Sequence, residues 1–224
     1  MDSVVMNDTR IQTFFKRTYL YLALGILVTA VISLGMAILA PNLVIAIASQ
    51  PFFFLGAFLI QLLLVVVIAR SLDGSGVKSG AMYLVFTAVE GVLISPIFFI
   101  YSLQTIVMAF ISAVSLFGIM AIIGYTTKID TSKWRGILFA TTIALIVVSL
   151  INLFVINSVV SLVISWITII IFSGWSMYDS QRLKEMALST DMSSLNGVAV
   201  SGALNFYLDI LNMFLSLLRI FGSR

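Results

Sequence analysis

Two side chains are missing altogether: the 224 residues contain no cysteine and no histidine. Without a thiol there is no disulfide and no thiolate metal site, and the redox compartment leaves no trace in the sequence. Without an imidazole, Ser-His-Asp catalysis and His-ligated zinc are excluded, as is the side chain that most often changes charge near neutral pH. Any pH response must therefore come from other groups, with carboxylates first in line. Charge is scarce as well, since only 9% of residues are Asp, Glu, Lys or Arg while 61% are hydrophobic. A soluble domain carries about 25% charged residues. The chain is read as an integral membrane protein, with lipid as its first partner.

A hydrocarbon core of roughly 30 Å needs about 20 apolar residues to cross it. Six runs of that kind occur near 19–40, 52–69, 81–101, 105–125, 136–155 and 158–178, and a seventh, 198–220, is long enough but includes Asn205, Asp209 and Asn212. The first run exceeds the roughly 7–15-residue core of a secretory signal and no small-x-small cleavage site follows, so it is expected as a permanent helix. No connection is long enough to fold alone and no 20–50-residue period is present, so residues 1–224 are expected as a single membrane domain with a tail at 1–18.

The basic residues alternate. Arg10, Lys16 and Arg17 precede the first run, Arg70 and Lys78 follow the second, Lys128, Lys133 and Arg135 follow the fourth, and Arg182 and Lys184 follow the sixth, while the intervening loops carry no charge. By the positive-inside rule these segments, with the amino terminus, are cytoplasmic. Arg219 and Arg224 close the seventh segment. Its length favours a crossing and its charge favours a fold back, so the side of the carboxyl terminus is left open. The net charge of +3 is accounted for by this bias, and no nucleic-acid partner is implied.

Among the nine acids, Asp2, Asp8, Asp73, Asp130, Glu185 and Asp191 fall in the tail or the cytoplasmic loops, where solvated charge explains them. Glu90, Asp179 and Asp209 remain. An acid at the centre of a spanning helix disfavours insertion by about 2.5–3.5 kcal/mol, so it faces a protein interior or water and is a candidate for function. Ser201, Asn205, Asp209, Asn212, Ser216 and Arg219 follow one another at steps of three and four, which puts a polar stripe on one face of the seventh helix. Lipid does not accommodate such a stripe, so the helix is expected to be enclosed or to line a path. For the Asn and Ser positions, plain interhelical hydrogen bonding is an equal alternative. Asp179 sits where the sixth run meets the interface, and Arg182 three residues on makes an exposed ion pair on a continuing helix the simple alternative. Ser165, Thr168, Phe172, Ser176 and Asp179 form a weaker stripe. Glu90 lies midway along the third run with Thr87 on its face and Pro96, which should bend the helix, downstream. A buried acid bonded to a neighbour is its alternative reading.

Four stretches, "EGVLISPIFFIYS" from Glu90, "GYTTKIDTSKWRGIL" from Gly124, "YDSQRLKE" from Tyr178 and "ALNFYLDILNMFLSLLRIFG" from Ala203, occur in order along the chain. Together they resemble the bacterial branch of the Bax inhibitor-1 family, also called the transmembrane Bax inhibitor motif family. The resemblance implies an all-α fold of seven transmembrane helices with the seventh enclosed by the other six, in the bacterial cytoplasmic membrane. It also implies a pH-sensitive calcium leak gated by a hydrogen-bonded aspartate pair, here Asp179 and Asp209, with Arg70 at the end of the second helix as latch. The loop after Arg70, with Asp73 and Gly74, departs from the more basic loops of some relatives.

Two carboxyl groups within hydrogen-bonding reach share one proton and titrate in two separated steps, so the expectation is a singly protonated pair that holds a closed state and opens when the proton leaves. Calcium as the transported ion suits oxygen ligands. Asp179 and Asp209 would bind it transiently, with Glu90, Asn205, Asn212 and Ser216 lining the path. No EF-hand loop and no resident cofactor are expected. Two other classes share part of this pattern. An intramembrane aspartyl protease also pairs aspartates, but Tyr207-Leu208-Asp209 replaces Gly-x-Gly-Asp and no Pro-Ala-Leu segment occurs, so no enzyme is expected. A non-transporting regulator that binds other membrane proteins, as some relatives are linked to cell death or a membrane protease, has no distinguishing sequence feature.

Overall fold

The computed structural model describes residues 2–70, 76–155, 157–189 and 195–223, with backbone alone for 2–9, 51–55, 57, 58, 69, 70, 76, 77 and 153. Every helix or strand assigned among them is helical: α1 (Asp2–Leu39), α2 (Pro41–Ala48), α3 (Pro51–Arg70), α4 (Gly76–Ile94), α5 (Ile97–Ile100), α6 (Leu103–Thr126), a 3-10 turn (Thr131–Lys133), α7 (Trp134–Val155), α8 (Ser158–Ser189) and α9 (Leu195–Gly222). Six segments are long and apolar enough to cross a membrane, beginning at Arg10, Lys78, Leu103, Thr131, Ser158 and Leu195. The run near 52–69 forms α3, a 20-residue helix, of which Leu59–Ile68 is an apolar stretch among the described residues.

Three other features were not anticipated. The amino-terminal tail is helical from Asp2, so α1 runs 38 residues, about 57 Å at 1.5 Å per residue and nearly twice a hydrocarbon core. The uncharged loop after it forms α2, opened by Pro41, whose missing N–H is no loss at a helix start. The third span is interrupted rather than bent. Pro96 has no amide to continue the helix, Ser95 turns both its amide and its hydroxyl onto the Val92 carbonyl at 3.3 and 2.7 Å, and α5 begins at Ile97.

The contacts fall into two compact units, Met1–Ser102 with Met186–Tyr207, and Leu103–Glu185 with Leu208–Arg224. The first is built on α1 against α4. The buried face of α1 runs Phe14, Thr18, Leu22, Gly25, Thr29 and Ser33, while Leu20, Leu27, Val31 and Ile38 stay exposed. From Gly25 onward the buried residues of this face are small or polar while large aliphatic ones lie outside, the arrangement expected when the outer solvent is lipid and close backbone approach supplies the attraction. At Gly91 a Cβ would stand 2.9 Å from the Thr29 carbonyl oxygen, so α1 and α4 meet there only because the side chain is absent.

In the second unit α6 buries Ile106, Ala109, Ala113, Phe117, Ala121 and Gly124 at helical steps. A Cβ on Gly124 would overlap the Met177 carbonyl of α8, and one turn away the Ser180 hydroxyl donates to the Ala121 carbonyl at 2.8 Å. Trp175 donates from Nε1 to the Thr142 hydroxyl at 2.9 Å, tying α8 to α7. The carboxyl-terminal part of α9 adds Phe214, edge-on to Phe110 with ring centroids 6.2 Å apart. Of the candidate spans among the described residues α9 has the largest buried share, 67% of its apolar window against 6–39% elsewhere.

Candidate functional site

The second unit brings together two of the singled-out acids. Asp179 on α8 is 5% exposed and Asp209 on α9 is 3% exposed. Asp179 is close enough for its charge to act on Asp209, and the Ser176 hydroxyl lies within hydrogen-bonding range of the Asp209 carboxyl. Asp209 Oδ2 is buried with no hydrogen-bond partner. Such an atom in a native interior calls for an explanation, because desolvating a carboxyl oxygen without a partner is costly. Ser165, Thr168 and Ser176 are buried along with Asp179, so the weaker α8 stripe faces protein rather than lipid.

The simple alternative for Asp179 is half right. Helix α8 does continue, to Ser189, and Arg182 does act on Asp179, but the carboxyl is buried and not an exposed surface partner. Continuation is secured by side chains of the "YDSQRLKE" stretch whose role sequence reading missed. The Gln181 amide oxygen accepts from the Thr131 amide at 2.9 Å and from the Thr131 hydroxyl, while its NH2 donates to the Ile129 carbonyl at 2.9 Å. Lys184 donates to the Tyr125 carbonyl at 3.2 Å and stands 4.4 Å from the centroid of the Tyr125 ring. These contacts tie α8 to the last turn of α6 and to the connection after it, a long-range pairing that helical spacing does not reveal.

The remaining stripe positions on α9 differ in kind. Ser216 is buried, Asn205 and Asn212 are half-buried, and Arg219 is exposed. Asn212 spends its amide on the Leu208 carbonyl at 2.7 Å, within its own helix. Glu90 and Asn205 belong to the first unit, where Gln61 Nε2 donates to Glu90 Oε2 and Tyr207 meets the Thr29 hydroxyl at 2.8 Å. Arg70 ends α3; its side chain, with Asp73 and Gly74, lies outside the described residues. No group of three or more acidic side chains able to hold a metal occurs among the described residues.

A family model described as "Inhibitor of apoptosis-promoting Bax1" matches residues 11–224, which takes in both aspartates and the helices that carry them. The chain belongs to the Bax inhibitor-1 family. It is 36% identical over 217 residues to an uncharacterized membrane protein of Streptococcus pyogenes serotype M1, covering 96% of this chain and 95% of that one. It is 32% identical over 228 residues to the inner membrane protein YbhL of Escherichia coli (strain K12), covering 100% of this chain and 97% of YbhL. An uncharacterized protein of Deinococcus radiodurans is 34% identical over 233 residues, with 100% and 98% covered. This Bax inhibitor-1 family member is thus an integral membrane protein with bacterial relatives, in a family of membrane proteins and not of known enzymes.

Proposed function

We propose that the protein is a pH-sensitive calcium leak in the bacterial cytoplasmic membrane, gated by one proton shared between Asp179 and Asp209. The observation that carries this reading is the pairing of two buried carboxyl groups, one on α8 and one on α9, with electrostatic reach of each other. The Ser176 hydroxyl supports it. That hydroxyl donates to the Phe172 carbonyl at 2.8 Å and lies within hydrogen-bonding range of the Asp209 carboxyl, so Asp209 lies against the face of α8 that carries Asp179 three residues on.

With one proton between them, the carboxyl groups hold α8 and α9 together. When it leaves, two like charges stand in a low-dielectric interior and repel. Closed is therefore the protonated state, and calcium flux rises with pH. Calcium is cargo here. Two carboxylates and the Ser216 and Asn212 oxygens give it a weak oxygen site, as conduction requires. The seventh helix is read as the enclosed one, its heavy burial in protein supporting that, and the amino terminus as cytoplasmic by the charge of the loops.

Calcium influx into liposomes holding purified protein tests the proposal. Wild type is expected to pass more calcium at alkaline than at acidic pH, while Asp209→Asn, which is neutral at every pH, gives a flat profile. A wild-type pH response retained in Asp209→Asn contradicts the gate.

A further inference from the structure

The first unit contains a second buried polar system that the aspartate pair does not use. Along α4, Ser79, Tyr83, Thr87 and Glu90 follow at steps of four, four and three, so they share one helix face, and all four are buried. From Ser79 to Glu90 is 11 residues, or about 16 Å of helix, roughly half a hydrocarbon core. The stripe begins beside Lys78, at the end of α4 that follows the charged loop.

The neighbouring helices extend it. Thr29 on α1 donates its hydroxyl hydrogen to the Thr87 carbonyl at 2.8 Å, so its contact with Tyr207 of α9, also 2.8 Å, must be donated by the Tyr207 hydroxyl. The Tyr207 oxygen keeps a lone pair free, and it is within electrostatic reach of both Glu90 and Tyr83. Tyr83 packs edge-on to Tyr207 with ring centroids 6.2 Å apart, and its hydroxyl is buried without a partner. Gly25 makes room for that hydroxyl, since a Cβ there would overlap it. A phenol donor seated in a hole left by a glycine and bonded to nothing is unexplained as packing.

Glu90 ends the stripe. Among the described residues α3 offers it the Gln61 amide, α9 offers Tyr207, and Tyr21 of α1 abuts Tyr83 edge-on at 6.5 Å. Among the described residues no Lys or Arg pairs with it.

We propose that Glu90 is a proton-loading site, reached from the Lys78 end of α4 through the hydroxyls of Ser79, Tyr83 and Tyr207. A proton enters from water. Each hydroxyl accepts one proton on its oxygen and releases its own to the next, so no phenol is left charged; the last O–H bond forms on the Glu90 carboxylate and breaks again when Glu90 gives its proton to water on the far side, where α4 is interrupted at Ser95 and Pro96. The Tyr207 hydroxyl turns from Thr29 toward Glu90 to complete the relay, and the unpartnered Tyr83 hydroxyl is the link that is open in this arrangement. This site stands on the first unit alone and does not depend on the aspartate gate.

The test is proton entry into liposomes loaded with a pH-reporting dye, after an outside acid step, with potassium and its ionophore clamping the voltage and no calcium present. Wild-type protein is expected to acidify the lumen faster than empty liposomes. Glu90→Gln, which keeps the shape and the Gln61 contact, falls to the empty-liposome rate, and Tyr83→Phe, which removes one oxygen, loses most of the protein-dependent rate. Wild type no faster than empty liposomes, or either variant conducting like wild type, overturns the proposal. Should Glu90→Gln fail to purify as a single species, Tyr83→Phe decides. Because calcium is absent, the outcome is independent of whether calcium is the cargo of the aspartate pair.

Discussion

At Gly124 helix α6 lies against the backbone of α8, directly before the turn that carries Asp179. A Cβ there would collide with the Met177 carbonyl, and backbone does not step aside. Gly124→Ala is expected to destabilise the protein by about 1–3 kcal/mol, the usual cost of overpacking, and to lower its melting point in detergent. Gly174→Ala makes the contrast, because the nearest atom is Leu138 Cδ2 at 2.9 Å, the far end of a side chain that can rotate. Its melting point should stay near wild type. Asp130 is a different kind of residue. The Ser132 hydroxyl, the Ser132 amide at 3.0 Å and Lys133 hold its carboxyl below the usual carboxylate value. A carboxylate lowered on folding adds stability that is fully present above the unfolded value, about 3.9, and is lost as pH falls through the folded one. Asp130→Ala should therefore lower the melting point at neutral pH, with the difference narrowing in acid; a difference that grows on acidification contradicts the assignment. At this scale the sequence was a good guide to which acids are buried, since an acid inside an apolar run is conspicuous. It was a poor guide to their partners. Ser176, Gln61 and Thr29 are ordinary residues whose meaning comes from what stands opposite.

Helices were legible as far as hydropathy extends and no further. The runs near 105–125 and 136–155 reappear as α6 and α7 almost unchanged, because lipid-facing length is what both the pattern and the fold respond to. Where polar residues continue a helix into water, hydropathy falls silent: α8 runs 11 residues beyond 178, and α1 starts 17 residues before 19. Those extensions rest on side-chain contacts. Gln181 is the plainest case, for it satisfies both the amide of buried Thr131 and the carbonyl of Ile129. Gln181→Leu leaves a buried donor without a partner, a loss of about 1–3 kcal/mol. Amide hydrogen exchange at Thr131 should then accelerate while exchange in the middle of α7 does not. Unchanged exchange at Thr131 would mean the connection holds itself. The stripe from Ser79 to Glu90 was within reach of the same period-counting that found the α9 stripe. Spacing alone does not mark it, because Tyr and Thr read as ordinary membrane residues until their burial is known.

For the molecule as a whole, the family is settled by a match along nearly the full chain, and the architecture of apolar helices by hydropathy and structure together. What the sequence left open was whether Asp179 is surface or interior, and the fold answers that it is interior, on the same unit as Asp209. The central claim is that these two carboxyl groups act as one titrating system. Two independent groups would contribute additively, whereas a shared proton makes removing either equivalent to removing both. The most direct measurement is therefore the pH profile of calcium flux for wild type, Asp179→Asn, Asp209→Asn and the double variant in the same liposomes. The account predicts a wild-type flux that rises with pH and three variants that share one flat profile. Single variants that each keep part of the pH response, with the double variant losing the sum, would contradict it.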